Sequence, residues 1–405
     1  MRGIGQMNVY TDLIQAVDEE ISREHGNLAA LSDDLFDHPE VSGQEAESCR
    51  KIVSLLRDRG YQVETPFADL PTAFRGIWGS DSHTYKIAIL AEYDALPEIG
   101  HACGHCLSGS ISVLAALALR RLQDRLDADV HIIGTPAEED MGGKAVMVKK
   151  DVFAGYDMAM MVHLYDRNLL ASRLQAMDSY MYHFYGKAAH ASNAPWEGVN
   201  ALNAAQLMFH AMDMLRQHVT PDVRMHAVIR NGGKAPNVVP EEASLEVYIR
   251  ALDRRYLNSV VGKVDDCARG AAIATQTTWK KHPTAEPYDN LVPNQAGLEA
   301  LREVFQELDL PLEQDTGLIF GSSDVGNVSF VCPTFHPCIQ AAERGVAIHT
   351  RMFADSMKTE MAYRALSNGA RLIARQIAKI FSDPARIQAV KQDFQRPNCA
   401  ESVHP

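Results

Sequence analysis

The stretch Ala91–Ser108, AEYDALPEIGHACGHCLS, concentrates side chains that bind metals. His101, Cys103 and His105 stand at alternate positions, with Asp94 ahead of them. Alternate side chains of an extended segment point to one side. His-x-Cys-x-His would then offer two imidazoles and a thiolate to one point, a donor set that suits zinc and related transition ions. Two other readings use the same residues: a glycine-rich turn with incidental His and Cys, or a Cys103-x-x-Cys106 thiol redox pair. The histidines that flank Cys103 favour the metal over the redox pair.

Distant segments repeat the signal. VHIIGTPAEED ends in Glu138-Glu139 just after an apolar run. Two adjacent carboxylates ordinarily mark a solvated helix face. After a buried-looking run and a Thr-Pro break they suit chemistry better. Adjacent side chains diverge, so one can hold an ion while the other stays unligated as a general base for water. His163 directly follows MAMMV, and His349 ends the short apolar stretch of GVAIHT. The long intervals between these residues fit neighbouring strands of one sheet, not the compact knuckle of a zinc finger.

The elements that would position them follow from periodicity. Tyr10–Phe36 has apolar residues at helical spacing and stops at His38-Pro39; a second helix runs over about 44–59, closed by Gly60. Three short apolar runs, Lys86–Leu90, Val130–Ile133 and Met158–Val162, alternate with helical stretches such as Leu107–Leu126. That alternation predicts an α/β fold, a mostly parallel sheet flanked by helices. In such sheets ligands bind beyond the carboxyl ends of the strands, where Asp94, Cys103, His105, Glu138 and His163 fall. From Ser179 the pattern becomes strand (Tyr180–Tyr185), helix (199–219), two strands (224–230 and 244–252), helix (254–274) and strand (276–280). This is the β-α-β-β-α-β order of a ferredoxin-like α+β unit. The reading is one catalytic domain, 1–178 and 288–405, interrupted by an inserted domain at 179–287. After Pro287 the α/β character returns through 298–308, 330–331 and Glu360–Phe381, and the polar tail past Ser382 is expected to be loosely held.

Composition narrows the class. The chain has 405 residues, a formal net charge of −13 and 46% hydrophobic residues. The acidic balance argues against nucleic acid and anionic membrane as partners, because both require a basic footprint. No apolar run is long enough to span a bilayer, and the first residues lack the apolar core of a secretory signal. Seven sparse, odd-numbered cysteines point to a reducing compartment and a cytoplasmic location.

Taken together, eight segments are distinctive: DHPEVSGQE (37–45), AEYDALPEIGHACGH (91–105), GTPAEED (134–140), MMVHL (160–164), GKAAHAS (186–192), APNVVP (235–240), SSDVGNVS (322–329) and AIHT (347–350). In content and order the chain resembles the two-metal amidohydrolases and metallopeptidases of the aminoacylase and carboxypeptidase G type. It is most similar to the branch of aminobenzoyl-glutamate hydrolases, indole-acetyl-amino-acid hydrolases and β-alanyl-lysine dipeptidases.

The resemblance implies metal-dependent hydrolysis of an amide bond in an N-acyl amino acid or dipeptide-like substrate. It implies two divalent transition-metal ions per chain, zinc or manganese, with cobalt also acceptable. Cys103 would bridge the ions in place of the aspartate of other branches, and His105, Glu139, His163 and His349 would complete their ligands. Glu138 would be the general base that deprotonates a metal-activated water, and Asp94 would orient a ligand from behind. His190, in GKAAHAS, would reach a neighbouring subunit's site and stabilise the oxyanion. Asn237 and Arg250 would bind the substrate carboxylate or carbonyl, and the inserted domain would serve as lid and homodimer interface. Two positions depart from the pattern: Cys106, where relatives often carry Asp or Asn, and Glu92, where many carry another polar residue. His183 and His336 are read as structural or surface residues. The alternative reading is a non-catalytic ligand-binding relative that keeps the fold.

Overall fold

The computed structural model describes residues 2–314 and 321–396. In chain order its strands are β1 (Gln62–Glu64), β2 (Phe74–Ile77), β3 (Tyr85–Ala91), β4 (Ala128–Gly134), β5 (Met158–Met160), β6 (His163–Tyr165), β7 (Ala176–Tyr185), β8 (Arg224–Asn231), β9 (Glu242–Ala251), β10 (Thr278–Pro283), β11 (Thr334–Phe335) and β12 (Cys338–Gln340). The chain divides into two compact units. The second takes in Arg173–Asn290 and, of the later residues, 321–326; the first holds the remainder of the described chain.

The first unit is built on a six-stranded sheet in the order β1-β2-β4-β3-β5-β11. The β4–β3, β3–β5 and β5–β11 pairings are parallel, and β1 and β2 form an antiparallel edge. Ala91 is paired with Gly134, so the chain leaves β3 and β4 side by side, immediately before Glu92 and Thr135. The helix His105–Leu119 is buried along its whole length. Its polar side chains are satisfied within the core: Ser108 donates to the Val162 carbonyl at 2.7 Å and Ser112 to the Leu90 carbonyl at 2.6 Å. Such pairing is what makes hydroxyls tolerable in a dry interior. Helices Arg2–Asp37 and Glu360–Phe381 add Leu13, Val17, Ile21, Leu366, Ile373 and Ile377 to the same core.

The second unit has the predicted β-α-β-β-α-β order, with strands arranged β10-β7-β9-β8 and every neighbouring pair antiparallel. Alternate residues of β9, Leu245, Val247 and Ile249, are buried with Tyr182 and Phe184 of β7. Helices Ala201–Leu215 and Arg254–Thr275 supply Met208, Met212, Leu257, Val260 and Val264 to that core. Each helix starts on a side-chain cap, Asn200 accepting from the Asn203 N–H and Asp253 from the Tyr256 N–H. β7 begins at Ala176, ahead of the boundary read at 179, because polar Asp178 and Ser179 hide the start of its alternation.

Several local expectations are corrected. The run 158–162 is not one strand: the sheet strand stops at Met160, and His163 opens β6, which pairs with β12 in a separate two-stranded ladder. Pro333 and Pro337 flank β11, and proline offers no N–H to continue a ladder. The strand expected at Phe330–Val331 is a turn, and the pairing residues are Thr334 and Phe335. The tail is ordered as far as described: Pro384–Gln395 is a helix that buries Ile387 and Val390. Asp383 caps it by accepting from the Ala385 N–H, and Pro384 stands at its first turn, where no N–H is needed. Pro397 and Cys399 lie outside the described residues.

Candidate metal centre

Six of the side chains singled out above meet within the first unit. Ligand atoms of Cys103, His105 and His163 lie within 4.8 Å of one another, as do those of Cys103, Glu139 and His349, and those of His105, Glu138 and Glu139. Cys103 and His105 each belong to two of these groups, so the three form one continuous cluster. No other group of three or more metal-capable side chains confined to this unit is found among the described residues.

The local backbone explains the convergence. Gly104 adopts φ +85°, a left-handed conformation that places Cys103 at the end of a turn and His105 at the first position of a helix. A Cβ there would meet Leu164 at 3.1 Å. The segment is therefore not extended, which corrects the expectation that His101, Cys103 and His105 share one side. His101 turns away: its Nε2 lies 3.1 Å from the Leu35 carbonyl and its Nδ1 accepts from the Cys106 N–H at 3.2 Å. Cys106 is buried in the core and Cys103 is an unpaired thiol, so no disulfide joins the two. Ala137 and His349 have φ of 61°, rare for residues with a Cβ, and they adjoin or belong to the cluster. Glu45 braces the first of them, accepting from the Ala137 N–H at 2.9 Å and from Thr72 at 2.9 Å. The His349 N–H donates to the Ala102 carbonyl at 2.8 Å.

Asp94 ties the cluster together. One carboxylate oxygen is 2.9 Å from His105 Nδ1; the other accepts from Ser42 Oγ at 2.7 Å and from the Glu139 N–H at 3.0 Å. Burial works against the charge on Asp94, but His105 and these donors outweigh it and hold the carboxyl down to about 2. With Nδ1 engaged, His105 turns Nε2 to the cluster, where that atom has no hydrogen-bond partner. Glu139 Oε1 is likewise buried without one. Burial, with His105 opposite, depresses His163 to about 4, so its ring is neutral at neutral pH and offers a lone pair.

Distances within the cluster fit a metal. Tetrahedral ligands at about 2.0–2.1 Å for nitrogen or oxygen and about 2.3 Å for sulfur lie roughly 3.3–3.6 Å apart. Cys103 Sγ is 3.5 Å from His163 Nε2, and His349 Nε2 is 3.5 Å from Glu139 Oε2. Orphaned polar atoms at these spacings around one point fit a bound cation, since buried polar groups otherwise find partners. Glu138 and Glu139 do not diverge as far as their adjacency suggests, because both reach the His105 side of the cluster.

Asn237, Arg250 and His190 belong to the second unit. His190 and Asn237 are exposed neighbours: His190 bridges to Val238, and the Ala191 N–H donates to the Asn237 carbonyl at 3.0 Å. Arg250 on β9 is half-buried and donates to Ser322 Oγ at 3.1 Å. Motif reading assigned no part to Ser42, Glu45 or Lys144. The first two lie inside DHPEVSGQE, so their signal was present but undirected. Lys144 gave none, because a lysine in a helical stretch reads as exposed. His336, read as structural, is buried with its ring 5.4 Å from that of His163.

Comparison with known proteins settles the family. Residues 175–275 match the model described as a peptidase dimerisation domain. The chain is 33% identical over 396 residues to the Xaa-Arg dipeptidase of Mus musculus, covering 93% of this chain and 90% of the relative. The chain belongs to the M20 family of metal-dependent amidohydrolases and peptidases. A second M20 relative, a p-aminobenzoyl-glutamate hydrolase from Escherichia coli K12, is 26% identical and covers 97% of each chain. Among solved structures, a dinuclear metal-binding M20 peptidase from Bacillus subtilis shares the fold with a TM-score of 0.69 at 19% identity, covering 88% of this chain and 98% of that one. The M20 chain described here is accordingly a hydrolase that cleaves amide bonds with the help of metal, and these relatives give no support to a non-catalytic role. No helix among the described residues is long and apolar enough to cross a membrane.

Proposed function

We propose that the chain hydrolyses the amide bond of an N-acyl amino acid or dipeptide-like substrate at a two-ion centre made by Cys103, His105, Glu139, His163 and His349. The convergence of these side chains with Glu138 carries the reading. Cys103 falls in both the His105–His163 group and the Glu139–His349 group, which supports it as the bridging ligand. Glu139 is the ligand of the carboxylate pair because it joins the second group, which leaves Glu138 as the base. The Cys, His and Glu donors accept zinc or manganese, and also cobalt.

When bound, the ions polarise the amide carbonyl and make a water acidic. Glu138, only 8% exposed, accepts the water's proton and returns it to the departing nitrogen. Asp94 holds the His105 ring and the Glu139 backbone in register throughout. His190 donates to the developing oxyanion, a contribution of about 3–4 kcal/mol for one well-placed donor. Asn237 and Arg250 hold the substrate's carboxylate or carbonyl.

The names of the mouse and bacterial relatives each denote an amide whose amine half is an amino acid, which favours an amino acid leaving group here. Homodimerisation through the inserted domain is supported by the matched dimerisation model and by the surface of the second unit. β8 is an edge strand with exposed Val228 and Ile229, and helix Ala201–Leu215 exposes Leu207 and Met214. The free thiols Cys49, Cys103, Cys106, Cys267, Cys332 and Cys338 suit a cytoplasmic location.

A panel of N-acyl amino acids and dipeptides, assayed with zinc, manganese and cobalt, tests the reading. Release of an amino acid that stops on chelation and returns with metal is the expected outcome; no turnover on any member with any ion would refute it. Mixed His190→Ala and Glu138→Ala subunits should regain activity if His190 serves the neighbouring site.

A further inference from the structure

We propose that Glu92 is a further carboxylate of the metal centre and that Lys144 is the buried counter-ion that holds it there. This rests on the two-ion reading and extends it to two residues outside the motif-derived ligand set.

Glu92 follows β3 directly and is fully buried. Its backbone is fixed by close packing: a Cβ on Gly109 would come within 2.3 Å of the Glu92 carbonyl oxygen, so the helix and this peptide touch with no side chain between them. Its side chain divides its oxygens between two tasks. Oε1 lies 2.6 Å from Lys144 Nζ, and Lys144, from helix Gly143–Lys149, is itself fully buried. Oε2 turns the other way and lies 3.3 Å from His105 Nε2. Neither Oε2 nor Nε2 has a hydrogen-bond partner. Because Asp94 occupies His105 Nδ1, Nε2 is the ring atom left for an ion, and Oε2 stands at the spacing of about 3.3–3.4 Å that separates two ligands of one tetrahedral ion. A Glu92 oxygen is also within 4.8 Å of a Glu138 oxygen.

A buried carboxylate needs a paired cation. Lys144 provides one through Oε1 and leaves Oε2 free on the ion side. A pair serving the fold alone would have no reason to leave that oxygen bare against a metal-ligating ring. Glu92 thus adds an oxygen donor beside His105, and Lys144 is a positioning residue that acts through it.

The test is a titration of the metal-free chain with zinc and with manganese against a chelating indicator, alongside melting curves with and without metal. Wild-type protein should bind two ions; if it binds none, the two-ion reading itself fails. Given wild-type binding, Glu92→Gln should weaken one of the two steps at least tenfold, in the range seen when groups supporting a metal site are removed. Lys144→Met should shift the same step at least threefold in the wild-type background and leave it unchanged in the Glu92→Gln background. Affinities within twofold of wild type in folded Glu92→Gln would overturn the proposal, as would an equal Lys144→Met effect in both backgrounds. If Glu92→Gln fails to fold with its lysine unpaired, the double variant Glu92→Gln/Lys144→Met is titrated in its place. Failure of both to fold would assign the pair to the fold and overturn the proposal.

Discussion

Asp94 Oδ1 lies 2.9 Å from His105 Nδ1, and this contact decides which nitrogen of the ring faces the metal centre. The opposite oxygen of the same carboxylate fixes the Glu139 N–H at 3.0 Å, so one side chain sets the aim of two ligands. Asp94→Asn keeps the shape and removes the charge. It can also present its amide NH2 to Nδ1, which favours the wrong tautomer. We predict a 10–100-fold loss of metal affinity, measured by chelator competition, with little change in fold. An unchanged affinity would contradict the orienting role.

Glu138→Gln separates base from ligand. The variant should keep two ions per chain by elemental analysis while kcat falls about 10²–10⁴-fold, the usual contribution of a positioned general base. If one ion were lost with the activity, Glu138 would be a ligand and its part would have to pass to Glu139.

Close packing between the helix at 105–119 and the Glu92 peptide is a stability statement as well. Gly109→Ala would drive a methyl to within 2.3 Å of the Glu92 carbonyl oxygen, a backbone atom with no room to yield. A loss of about 1–3 kcal/mol in the unfolding free energy of the metal-free chain is expected. Denaturation of wild type and variant side by side checks it; equal midpoints would mean the helix can slide.

His83 gives the stability a pH dependence away from the metal centre. Its Nδ1 is 2.6 Å from Asp129 Oδ1 and its Nε2 3.0 Å from Asp124 Oδ1. The hydrogen bond to buried Asp129 is the main reason its pKa is raised. A raised imidazole stabilises the fold fully below its ordinary value of about 6.5 and loses that contribution as pH rises through the folded value. His83→Gln should therefore cost roughly 1–2 kcal/mol at pH 6 and clearly less at pH 9. A cost that grows with pH would reverse the assignment.

Much of this was legible in the residues, for identifiable reasons. Strands β3 and β4 are apolar runs bounded by breaks, and β7 and β9 alternate cleanly, so the sheet and the β-α-β-β-α-β unit announce themselves. The edge strands β1 and β2 do not: one is three partly exposed residues, the other contains Gly76, and both are held by pairing with β4 and with each other. The side-chain constellation was legible as types and order but not as geometry. Spacing alone aimed His101 at the centre, whereas the left-handed Gly104 turns it toward Leu35. A fully buried Lys144 is invisible to any rule that reads lysine as surface, because only its tertiary partner Glu92 makes the position tolerable.

The account stands or falls on where the ions sit. Crystals of the chain grown with zinc or manganese, with anomalous data collected at the absorption edge of the ion, should show two peaks about 3.5–4 Å apart. Cys103 should lie between them, His105, Glu139, His163 and His349 should be in bonding contact, and Glu138 should be alongside without a bond. Peaks elsewhere in the chain, with these five side chains unliganded, would contradict it.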